Sequence, residues 1–346
     1  MKRPHPASVS PAPGWGRSGP SSVAGSCGSH TKAPSMNTSH SVSVPYRTPQ
    51  GPPAPKRRAA LIIGGTGALL AVALMVWVLR GDDHSSAPGA VGAGGTVAVG
   101  HIHGIGIDPG NDRLYVGAHE GVFAVGDSGE VQPVGTERFD TMGFTVAGPG
   151  RFLASGHPQL DSNRAPHLGL FESSDTAATW SSASLEGEAD FHALDSTETR
   201  IWGADSVGGR LLTSSDGREW DLLAEGQFID VAADPTDPER ALATDSTGRL
   251  RSYAATGDES GLSGAPVLTF LDWPTDDELG GLAPDGTTLL SRDQGATWQT
   301  RARLPGSPSA FEAGDEAWYA ASDAGLFTSS DDGATWTPLF TYQGTP

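Results

Sequence analysis

Cysteine is almost absent: the chain has 346 residues and a single one, Cys27. Disulfide staples are therefore excluded, and any fold must rest on its own core, which a domain of this size can bury. Lysine stops at Lys56, and residues 81–346 set 13 arginines against all 41 acidic residues, a net of −28. Such a surface repels phosphate, which argues against DNA or RNA as a partner. Histidine is missing after His192. Long apolar runs are missing too, with one exception at 59–79.

That exception holds 21 residues without a charge. As a helix it would be roughly 31 Å long, the thickness of a bilayer's hydrocarbon core. Lys56, Arg57 and Arg58 precede it, and Arg80, Asp82 and Asp83 follow. The positive-inside rule then predicts a single-pass protein of the cell membrane, its N-terminus cytoplasmic and its acidic part extracytoplasmic. A cleaved signal peptide is the rival reading; the run is long for one and sits behind 58 residues. Those residues carry eight Lys or Arg and no Asp or Glu, and are rich in Pro, Ser and Gly. They read as a disordered basic tail (1–58), and 80–95 as a flexible linker.

The remainder, 96–346, is organised by a recurring turn. It reads Ser329-Ser330-Asp331-Asp332-Gly333-Ala334-Thr335-Trp336, and again at 291–298 with Asp293 and Trp298. A version at 173–180, with Asp175 and Trp180, lacks the glycine; one at 214–220, with Asp216 and Trp220, is a residue shorter. The Asp carboxylate can accept the turn's own N–H groups, Gly can take a positive φ, and Trp can close the turn from below. Trp180 to Trp220 is 40 residues and Trp298 to Trp336 is 38. A period near forty with strand-like content predicts propeller blades. Six units align by their second and third strands, which gives an all-β, six-bladed β-propeller. A seventh, degenerate blade around 262–273 is the alternative. The ring is expected to close by pairing a strand near 96–100 with the last blade near 338–343.

These turns resemble the Asp-box (BNR) repeat of sialidase-like β-propellers. Residues 97–346 also resemble a bacterial subgroup often labelled glycosylhydrolase or exo-sialidase, through His101-Ile102-His103-Gly104, Met142-Gly143-Phe144-Thr145, Ser155-Gly156-His157-Pro158 and Asp190-Phe191-His192-Ala193-Leu194. The resemblance implies the fold and a structural role for the turns. Sialidases grip a carboxylate with three arginines, whereas the inner strands expected here contain none. Sialidase activity is accordingly not expected.

All six histidines of the propeller lie between 101 and 192. Blade topology places His101, His103, His119, His157 and His192 on the face opposite the Asp turns, together with Asp140, Met142, His167 and Asp190. That constellation predicts a polar cup. The five histidines are its candidate metal ligands, and Asp140, Met142, His167 and Asp190 would contact a small molecule, a glycan or a protein. Imidazole with carboxylate suits Zn or Cu, and Met142 would suit Cu(I). A glycoside hydrolase using Asp140, Glu188 or Asp190 is the alternative, since that chemistry needs two carboxylates at a suitable separation. A protein-interaction scaffold is the third.

Overall fold

The computed structural model describes residues 99–342. The predicted tail, membrane helix and linker lie outside them, and no helix long and apolar enough to cross a membrane occurs among the described residues.

Runs of three to ten residues, broken by Gly, Asp or Pro, form twenty-four strands among the described residues. They assemble as six four-stranded antiparallel sheets, each built from four consecutive strands. The first is β1–β4 (Ile102–Asp108, Arg113–Ala118, Gly121–Val125, Val131–Pro133) and the second β5–β8 (Phe139–Gly148, Arg151–Pro158, Leu170–Ser173, Ser181–Ser184). The third is β9–β12 (Phe191–Ser196, Ile201–Asp205, Arg210–Ser214, Asp221–Glu225) and the fourth β13–β16 (Phe228–Ala233, Arg240–Asp245, Leu250–Ala254, Glu259–Gly261). The fifth is β17–β20 (Phe270–Thr275, Glu278–Leu282, Thr287–Ser291, Gln299–Arg303) and the sixth β21–β24 (Pro308–Ala313, Trp318–Ser322, Gly325–Ser329, Thr337–Thr341).

The core lies between blades. One cluster joins Ile102, Ile105 and Val116 of the first blade to Ala310, Ala321 and Leu326 of the sixth. Five others join each blade to the next. Six interfaces for six sheets make a closed ring, the six-bladed propeller. The segment 262–273 supplies a loop and the start of β17 instead of a seventh blade.

Among the described residues no borrowed strand closes the ring, and residues 96–98 of the expected closing strand lie outside them. The last sheet is completed by its own β24, which pairs with β23, and Val99 and Gly100 form no strand. The first described residues pack on the last blade: Val99 and Phe340 join one apolar cluster, and Tyr342 Oη donates to the Gly100 carbonyl at 2.7 Å.

The Ser-x-Asp turns lie between the third and fourth strands of blades two, three, five and six. Asp293 accepts from Thr297 N at 2.7 Å and Thr297 Oγ1 at 2.6 Å. Asp331 repeats this with Thr335, and Asp175 with Thr179. In each turn a buried serine accepts the N–H at the position of the turn glycine, as Ser291 Oγ does from Gly295 at 2.8 Å. The turn without glycine folds the same way, with Thr176 and Ala177 both at φ 61°.

Candidate functional site

An antiparallel meander returns the β2–β3 type of turn to the end of the blade where its inner strand begins. The Ser-x-Asp turns fall at the other end. His101, His103, His119, Asp140, His157, His167, Asp190 and His192 all fall at the first end, on blades one to three.

Their local geometry follows a repeated device. Pairing between the inner and second strands skips one residue near the start of the inner strand: His103, Met142, His192, Ile229 and Ser309 in blades one, two, three, four and six. A bulge of this kind re-aims a side chain and bends the strand. In blades one and three the bulged residue is a histidine. Gly156 adds a close approach: it holds φ 143°, and a Cβ there would sit 1.9 Å from the Asp140 carbonyl oxygen. That contact sets His157 directly across from Asp140 in the β5–β6 register.

The side chains converge. His119 Nδ1 lies 2.8 Å from Asp140 Oδ1, and His157 Nδ1 is 3.7 Å from Asp140 Oδ2. The other nitrogen of His157, Nε2, lies 3.1 Å from Asp190 Oδ2. His192 Nε2 reaches the same oxygen at 2.9 Å, and His167 Nδ1 stands 4.0 Å from it. The rings of His101 and His103 are 4.8 Å apart, and those of His103 and His119 4.7 Å. Ligand atoms of His103, His119 and Asp140 lie within 4.8 Å of one another, as do those of His157, His167 and Asp190. These are two groups of residues able to hold a metal ion.

Charge is polarised within the cluster. The Asp140 and Asp190 carboxylates together push His157 up to about 10. The Asp140 contact likewise raises His119. Burial alone would raise both carboxyls, but the imidazole hydrogen bonds outweigh it and hold them well below the usual carboxylate range. His103 goes the other way, down to about 3, through burial and then the neighbouring His101 and His119. It is a neutral imidazole, the form that binds metal.

Asp190 is the deepest member, its side chain 2% exposed against 30% for Asp140. Ser206 Oγ donates to it at 3.4 Å, and its own N–H donates to Asp205 Oδ1 at 3.1 Å. Asp205 is fixed in turn by Arg210. Glu188 is not part of this group: the Leu185–Ala189 turn leaves it exposed, with its carbonyl accepting from Arg210. Met142 is half-buried at the bulge of β5.

A second acidic group escaped the sequence reading. Asp195, Asp230, Asp272 and Glu312 stand on four successive inner strands and line a cavity of about 50 Å³, along with His103 and His192. Each links its blade to the next. Asp195 accepts from Ala233 N at 2.7 Å, Asp230 from Leu271 N at 2.9 Å and Asp272 from Ala313 N at 2.6 Å. Glu312 accepts from Ile107 N. Burial first, and mutual repulsion next for Asp272 and Glu312, raise these carboxyls. The available signal was one acidic residue per inner strand, in Leu194-Asp195, Ile229-Asp230, Leu271-Asp272 and Phe311-Glu312.

No family model matches the chain, and no curated protein matches it. Solved structures do. A gluconolactonase of Xanthomonas campestris is 13% identical over 65% of this chain and 84% of that one, with a TM-score of 0.53. A chain of a nidogen/laminin complex is 10% identical over 65% and 90%, with a TM-score of 0.52. PorZ, a surface component of the type-IX secretion system of Porphyromonas gingivalis, is 14% identical over 69% of this chain, which spans 33% of that structure, with a TM-score of 0.48. At these identities the likeness is one of fold. The chain is a β-propeller carrying His/Asp groups able to hold a metal.

Proposed function

We propose that the propeller is a metal-binding module, taking Zn or Cu through the imidazole–carboxylate cluster, and that it works outside the cell on a single membrane anchor formed by residues 59–79. One observation carries the metal reading. Buried polar atoms are normally hydrogen-bonded. Yet three of the eight buried side-chain atoms without a hydrogen-bond partner among the described residues, His103 Nε2, His167 Nδ1 and Asp190 Oδ1, belong to this cluster. Neutral nitrogen and carboxylate oxygen are the donors that Zn and Cu accept.

The anchor rests on the charge-free run and its basic flank. The Ser-x-Asp turns, in this reading, are Asp boxes of the sialidase-like superfamily and serve the scaffold. A glycoside hydrolase is less well supported. Such chemistry needs a carboxylic acid kept protonated, whereas Asp140 and Asp190 are both held in the ionised form and Glu188 faces solvent.

Calorimetric titration of the full chain with Zn, beside His119→Ala and Asp190→Ala, tests the reading. Binding by the parent that falls at least tenfold in each variant supports it. Equal heats in all three chains overturn it.

A further inference from the structure

We propose that the cluster holds two metal ions, joined by the imidazole of His157. This rests on the metal reading above and specifies it. His157 stands between two carboxylates and addresses each with a different ring nitrogen: Nδ1 toward Asp140 at 3.7 Å, Nε2 toward Asp190 at 3.1 Å. The two donor sets fall on opposite sides of this ring. On the Asp140 side are His103 and His119. On the Asp190 side are His167 and His192.

Counting His157 for both, each ion meets three imidazoles and one carboxylate, a full tetrahedral set. The orphaned atoms divide between the sites: His103 Nε2 on one side, His167 Nδ1 and Asp190 Oδ1 on the other. A single ion would serve one side and leave the other's buried atoms unpartnered. With metal–nitrogen bonds of 2.0–2.1 Å on either side of one ring, the ions would be roughly 6 Å apart. Bridging requires His157 to bind through both nitrogens, so its ring protons leave to solvent as the ions bind. No electron is transferred in the step.

Two further features fit this arrangement. The bulges place one imidazole, His103 or His192, at the start of the inner strand in each blade flanking the second. Asp205, held by Arg210, fixes the Asp190 backbone, as expected of support behind a ligand.

The test is a Cu(II) titration of the full chain, with metal content and integrated electron paramagnetic resonance followed together. A chain carrying Asp140→Ala and Asp190→Ala gives the background from His5, His30, His40, His84 and Cys27. Two ions above background, with a resonance signal well below the copper content because the ions couple, support the bridge. The signal must return to full intensity in His157→Gln, with circular dichroism unchanged. One ion per chain, two uncoupled ions, or coupling that survives His157→Gln overturns the bridge and leaves the metal reading standing. No copper above background overturns both. If His157→Gln misfolds, His167→Gln serves instead: it must lower the copper content and abolish coupling, and unchanged coupling refutes the pair.

Discussion

Replacing Asp272 by asparagine changes stability in a direction that depends on pH. Asp272 faces the channel, accepts from Ala313 N and Trp273 N, and is raised by burial and by the nearby Asp195. Its pKa in the fold, about 7, stands above the ordinary 3.8, so the protonated form favours folding. That contribution is complete below 3.8 and is lost as pH rises through about 7. At about 1.4 kcal/mol per pH unit, the loss approaches roughly 4 kcal/mol, an upper bound because neighbouring carboxyls share it. Asparagine carries no such load but gives up one backbone acceptor, a cost of about 1–2 kcal/mol. Urea unfolding of parent and variant at about pH 4 and about pH 7.5 gives the comparison. The variant should be weaker by about 1–2 kcal/mol in acid and equal or stronger at the higher pH. Referring each point to the parent cancels His103, which is held neutral and loses stability in the opposite direction, as pH falls below 6.5. A stability difference that stays constant, or a loss that grows with pH, refutes the reasoning.

Other outcomes follow from the same geometry. Ser291→Ala and Ser329→Ala each strip the acceptor from a buried turn N–H and should cost about 1–3 kcal/mol with an unchanged denaturant slope. Thr176→Gly should stabilise by about 0.5–1 kcal/mol, seen as a rise in Tm, because a β-branched residue is held there at φ 61°. In metal-free protein, a histidine-resolved NMR titration should find His157 charged well above neutrality, titrating near 10, and Asp190→Asn should bring it down toward 6.5.

Much of the architecture was legible because it repeats. Four Ser-x-Asp turns spaced near forty residues define blades, and blade topology sorts His101 through His192 to one face. What was not legible depends on register. Acidic residues number 41, so Asp195, Asp230, Asp272 and Glu312 stand out only once their strands line one channel. Glu188 and Asp190 differ by two positions, yet a turn ending at Ala189 sends one to solvent and buries the other. The bulges at His103, Met142 and His192 carry no local sequence mark, since the equivalent residues of blades four and six are Ile229 and Ser309. The residues after Trp336 complete their own sheet, so the sixth blade has its four strands without a borrowed one.

The central claim is that metal sits among these imidazoles. Anomalous diffraction at the zinc or copper edge, from crystals of the metal-soaked chain, tests it most directly. Peaks within bonding distance of Asp140, His119, His157 and Asp190 are expected. A loaded crystal with metal only elsewhere, and the His119–Asp140 and His157–Asp190 contacts intact, would contradict it.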